Sequence, residues 1–174
     1  MIPYSQKDKK WGDIKIGHTN LVMSKDGCLI VSLSILFNTP PNVVLGLLNK
    51  AEAFTDKGML YWSVASKVLN FIFDGIADKL PSITYLPVIA ETNHFAGAGF
   101  PQHFFVMLDG KECVDPLDGK IKTNPYKIVS YRLIRKKSDL YPARPLDVEV
   151  RATIDPPPRL SFLDRITRVV RCKA

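Results

Sequence analysis

The sequence predicts an α+β domain, with helices in its first half and an antiparallel sheet in its second. Three observations point there. Apart from one short stretch near the C-terminus, apolar residues at helical spacing fall before about residue 75. After Pro81 the texture changes to short runs rich in β-branched and aromatic residues, punctuated by Gly, Pro and Asp. The chain of 174 residues, 46% of them apolar, suits one core of ordinary size and not two.

The elements follow in order. The opening "MIPYSQKDKKW" is polar and lacks the apolar stretch of a signal peptide, so synthesis in a cytoplasm is expected; its Trp11 reads as core. Residues Cys28 to about Phe37 are apolar apart from two serines and predict a first helix directly after the glycine of "SKDG". "NTPPNVVLGLLNKAEAF" supplies a break, a cap candidate in Thr39 or Asn42, and a second helix. A third helix is predicted where Leu60, Val64, Val68 and Ile72 recur about one turn apart. Strands are then expected in "SITYLPVIA", "QHFFVMLDG", "KECVDPLDG" and "KIVSYRLIR", with "LDGK" at 108–111 as a two-residue hairpin centred on Asp109 and Gly110. Beyond residue 138 the prolines multiply; "LDVEVRATI" alternates as an edge strand would, and "LSFLDRITRVVR" has the spacing of a short amphipathic helix. The expected division is therefore a domain at 1–138 and a basic, proline-rich extension at 139–174.

No apolar run approaches the roughly 20 residues that span a bilayer, so no membrane span is expected. Cys28, Cys113 and Cys172 are an odd, widely spaced set that suggests neither a disulfide framework nor a structural zinc site. The three histidines lack the spacing of a metal motif, so neither metal nor cofactor is expected. Charge is uneven: residues 1–131 hold 13 basic against 12 acidic residues, whereas 132–174 hold 11 against 5. A tail of that kind suits a solvated extension or attachment to an acidic protein partner or wall polymer. It lacks the aromatic interleaving of single-stranded nucleic-acid binders, which argues against that partner.

The chemistry is suggested by one thiol. Cys28 follows a glycine turn at the first position of a helix, where unpaired N–H groups and the positive end of the helix dipole favour a thiolate. A thiol nucleophile needs a base and a group that holds the base. His103 opens the run "HFFVML", and Asp115 lies 12 residues on, across the "LDGK" turn. Strand pairing is expected to set the two almost opposite one another. His18 sits in a polar "GHTN" turn and His94 in the glycine-bounded "ETNHFAGAG" loop, neither so rigidly placed.

The ordered set "PYSQKDKKWGDIKIG", "DGCLIVSLSILFNTPPNVVLGLL" and "QHFFVMLDGKECVDPLDGK" resembles the papain-like cysteine peptidases of the bacteriocin-processing type and their stand-alone bacterial and phage relatives. The resemblance covers about residues 2–135. It implies a papain-like fold with Cys28 as nucleophile, His103 as base, Asp115 as its orienter, and Gln6 as an oxyanion donor. The substrate it implies is a peptide or protein, or the stem peptides of peptidoglycan. The membrane and ATPase domains fused to leader-processing members are absent from this sequence, and the extension after residue 138 is outside the pattern. A small stand-alone chain with such a tail suits a phage or mobile-element product, associated with a virion or acting on cell wall. Phe95 and Phe100, in "ETNHFAGAGFP", are the candidates for lining a substrate groove. Two alternatives stay open: a catalytically idle domain serving as a structural or binding module, and acyl transfer, which shares the same thioester.

Overall fold

The computed structural model describes residues 1–82, 85–92 and 102–137. His94, Phe95, Phe100 and everything assigned to the extension, including Cys172, lie outside the described residues. Within them the fold is α+β: four helices, α1 (Met23–Asp26), α2 (Cys28–Phe37), α3 (Pro41–Lys50) and α4 (Trp62–Val68), and six strands. The strands are β1 (Phe71–Ala77), β2 (Val88–Thr92), β3 (His103–Met107), β4 (Glu112–Asp115), β5 (Lys120–Thr123) and β6 (Ser130–Lys136). They form one sheet in the order β1-β6-β2-β3-β4-β5, with every pairing antiparallel.

Helix α2 is apolar on all sides because it is buried on nearly all sides, from Ile30 to Leu36. Its Leu33 and Ile35 join Val44, Leu45 and Leu48 of α3 and one face of the sheet, including Phe104, Val106 and Ile89, in the main core. Burying each such side chain contributes roughly 1.5–3 kcal/mol. Val88, Ala90, Phe105, Met107 and Cys113 form a second cluster with Tyr126 and Tyr131, following the two-residue alternation along the strands. Strand β3 is buried from end to end and holds its first residue, His103, rigidly. Among the described residues no single helix is long and apolar enough to cross a membrane.

Several local expectations need correction. The third helix stops at Val68, and "FIFDGIA" is strand β1. Asn70 adopts a left-handed φ of 54°, which breaks the helix, and the aromatic and β-branched residues beyond it pair with β6. Neither Thr39 nor Asn42 caps α3; the N-cap is Pro40, while the Thr39 hydroxyl donates to the Phe37 carbonyl. Strand β5, "KIKT", and the one-turn α1 were not expected. The first "LDGK" is also not a two-residue turn: Leu108 N–H donates to Glu112 O at 2.9 Å, enclosing three residues, and Asp109 Oδ1 accepts from Lys111 N–H at 2.6 Å and Glu112 N–H at 2.7 Å. The same four letters recur at 117–120, where Gly119 has a φ of +65° and the loop between β4 and β5 holds four residues.

Candidate active site

Cys28 is the first residue of α2, half-buried, with Gly27 as its N-cap. Gly27 is also the C-cap of α1, so one residue turns the chain between two helices. A β-carbon at Gly27 would lie 2.5 Å from Met23 O, 2.8 Å from Met23 Sδ and 2.9 Å from Met23 Cα. Two of those atoms are backbone and cannot swing aside. That close approach explains the glycine before the cysteine, and it sets the thiol over the first turn of α2, whose N–H groups have no intrahelical acceptor.

His103 and Asp115 meet, but by a route other than the expected one. Val106 pairs with Val114 and Met107 with Cys113. Extended by two residues, this register puts Asp115 opposite Phe105 and His103 diagonally along the same face. A two-residue hairpin would have slipped the register by one and turned the two side chains to opposite faces. The third loop residue therefore makes the contact available. His103 Nε2 lies 3.0 Å from Asp115 Oδ1, with His103 3% exposed and Asp115 fully buried. Nε2 faces the carboxylate, and Cys28 is close enough to the imidazole to raise its affinity for a proton.

The electrostatics follow from these partners. Burial alone would drive the proton off His103, but hydrogen bonds and charge from Asp115 and Cys28 outweigh it and push the imidazole pKa up to about 9. Burial alone would raise Asp115, but hydrogen bonds from His103, Lys122, Tyr126 and the Leu117 N–H hold its carboxyl well below the usual range. An imidazolium beside a carboxylate is thus the state at neutral pH. Cys113, by contrast, is buried near Asp115, and desolvation with that negative charge pushes its thiol up to about 11.

Gln6 is brought to the same place by the N-terminal segment. Its N–H donates to Pro116 O at 2.7 Å, and Ser5 Oγ donates to Leu117 O at 3.1 Å, so the segment docks on the β4–β5 turn. The Gln6 side chain is buried, with Nε2 donating to Ser24 O at 3.0 Å and Lys25 O at 3.3 Å. Those carbonyls belong to α1, so the amide ties the segment to the turn that carries Cys28. The expected donor group is therefore engaged by backbone oxygens. Trp11 is core, its indole N–H donating to Ser5 O at 2.8 Å.

Gln6, Cys28 and His103 line one groove of about 580 Å³. Its apolar wall includes Leu21, Leu29, Met59, Leu60, Trp62 and Phe104. Arg132 also lines it, with its charge met by Glu91 at 2.6 Å and its guanidinium 5.1 Å from the Phe104 ring centre. Glu91 also accepts from Gln102 and Ser130; these bonds with Arg132 overcome the upward push of burial and lower its pKa.

Sequence reasoning missed Lys122, Tyr126, Glu91 and Arg132. The repeated "LDGK" was the available signal for the second hairpin that carries Lys122; nothing local marks Glu91 and Arg132, which lie far apart in the chain. Among the described residues no group of His, Cys, Asp or Glu is arranged to hold a metal ion. Comparison with protein-family models, curated proteins and solved structures finds no match.

Proposed function

We propose that the chain is a papain-like cysteine peptidase acting on a peptide bond through Cys28, His103 and Asp115. The observation that supports this most is the linked set: a thiol at a helix N-terminus and an imidazole lining one open groove, the imidazole meeting a buried carboxylate through Nε2 at 3.0 Å. In the first step the Cys28 thiolate attacks the substrate carbonyl. The oxyanion that forms lies near the N–H groups of the first turn of α2, which suit it. The His103 imidazolium gives its proton to the departing amine as the C–N bond breaks, leaving a thioester and a neutral imidazole. His103 then takes a proton from water, which attacks the thioester; the acid leaves and the thiolate–imidazolium pair is restored. Asp115 fixes the ring so that Nδ1 faces the sulfur. Gln6 acts in this scheme through its hold on the Ser24 and Lys25 carbonyls, positioning the turn before Cys28. Acyl transfer to an amine would use the same thioester.

The decisive experiment is alkylation by iodoacetamide across pH, read site by site by mass spectrometry, in the wild type and His103→Ala. Fast labelling of Cys28 below the pH of about 8.5 at which a free thiol titrates, slowed by the substitution, supports the pair. Labelling at the rate of a free thiol and indifferent to His103 overturns it. A digest of a mixed peptide library and of purified peptidoglycan, with Cys28→Ala as control, then distinguishes hydrolysis and its substrate class.

A further inference from the structure

Asp115 has more partners than an orienting carboxylate requires. Oδ1 accepts from the His103 ring at 3.0 Å and from the Leu117 N–H at 3.0 Å. Oδ2 accepts from Lys122 Nζ at 2.7 Å and from the Tyr126 hydroxyl at 2.5 Å. A carboxylate offers about four lone-pair sites, and all are taken. Such a group can neither rotate nor readily accept the imidazole proton.

The arrangement is built by the sheet. Lys122 pairs with Cys113 across β4 and β5, so its side chain shares a face with Asp115 two residues away. His103 reaches the same carboxylate diagonally from β3. A cation and an imidazole thus approach one anion from the two neighbouring strands, each along a diagonal. Tyr126 closes the remaining side, its ring meeting His103 edge-on at 5.6 Å between centres. Among the described residues, the other charged and titratable groups around the carboxylate are Asp118, 3.6 Å from Lys122 Nζ, Cys113 on β4, and Cys28 beyond the imidazole. Lys122 is one-third exposed, whereas Asp115 is sealed.

We propose that Lys122, with Tyr126, is a positioning residue that locks Asp115 and balances its charge, thereby setting the pH range over which His103 stays protonated. This rests on the reading of His103 as the base of a thiol mechanism, but it is testable without any substrate. A lone carboxylate would stabilise imidazolium with its full field; a cation on its far oxygen cancels part of that field. Burial lowers the lysine's own affinity for its proton, but the bond and charge of Asp115 more than compensate and raise its pKa, so Lys122 stays charged where His103 titrates. Removing Lys122 therefore raises the His103 pKa, and removing only the Tyr126 hydroxyl leaves the cation in place.

The test is an NMR titration of the three histidine rings in the wild type, Lys122→Met and Lys122→Arg. Loss of the cation is expected to move the His103 midpoint upward by about one pH unit, from Coulomb coupling at intermediate effective dielectric. Arginine should restore it. An unchanged or lowered midpoint in Lys122→Met overturns the proposal, as would an equal rise in Lys122→Arg, which would make geometry and not charge the cause. Should Lys122→Met not fold, Lys122→Gln gives the same readout. His103-independent labelling of Cys28 would defeat the peptidase reading while leaving this titration to be judged on its own.

Discussion

The protonation of His103 makes a prediction about stability. Its pKa rises from 6.5 in the unfolded chain to about 9 in the folded one, in part through the charge of Cys28; in Cys28→Ser, where no thiol gives up a proton in exchange, the folded state holds an extra proton above pH 6.5, and about 9 is the upper bound on where it is lost. The stabilisation is fully present below pH 6.5 and is lost as pH rises through about 9. In that variant the whole gap corresponds to at most about 3 kcal/mol, of which at most about 2 kcal/mol disappears between roughly pH 6 and roughly pH 8.5; in the wild type a thiolate–imidazolium pair binds no extra proton and the profile is flatter. The side chain is only 4% exposed, so solvent screening takes little from this figure. Urea unfolding at constant ionic strength across that interval measures it directly. Ending there avoids Cys113 and the buried tyrosines, whose raised values act at higher pH with the same sign. His103→Gln added to Cys28→Ser should flatten the profile while lowering stability throughout. If the double variant loses the same free energy over the interval as Cys28→Ser alone, the imidazole is not the group responsible and its partners do not hold its proton.

Gly27→Ala, forced against the Met23 carbonyl, should cost about 1–3 kcal/mol, or a fall of about 2–12 °C in Tm for a domain of this size, together with slower Cys28 alkylation. Asp115→Asn leaves burial to act on His103 without its carboxylate; the imidazole should be neutral at pH 7 and Cys28 alkylation at least about tenfold slower there. Breaking the Glu91–Arg132 pair with Arg132→Met should destabilise by about 3–5 kcal/mol in denaturant titration, because a nearly buried carboxylate loses its partner. The double change Glu91→Gln with Arg132→Met should cost less. Cys113 in the native protein should be labelled far more slowly than Cys28, as peptide mapping after short exposure to iodoacetamide will report.

The sequence made α2 legible because an apolar decapeptide after a glycine has few other uses. His103 and Asp115 were legible as a pair because a short hairpin must bring its two strands together. Their register was not, since whether "LDGK" closes on two residues or three depends on how Asp109 bonds to the Lys111 and Glu112 amides. The first and second "LDGK" differ in loop length despite identical letters, which shows how little that tetrapeptide decides alone. Strand β1 was hidden because "NFIFDGI" continues the helical spacing of the preceding residues, and only the left-handed Asn70 and pairing with β6 resolve it. Lys122 and Tyr126 were invisible without strand β5, since their meaning lies in the diagonal to Asp115.

The docking of the N-terminal segment on the β4–β5 turn spans 112 positions between Ser5 and Leu117. During synthesis, Cys28 therefore emerges long before either the histidine that would activate it or the turn that seats the residues in front of it. On the proposed reading the site is incomplete until β3 and β4 have paired and the N-terminal segment has docked, and contacts this distant in sequence form slowly. The Gln6 amide, bonded to Pro116, is consequently a reporter of completion: its protection from hydrogen exchange marks the moment when a set of separate strands becomes one assembled centre.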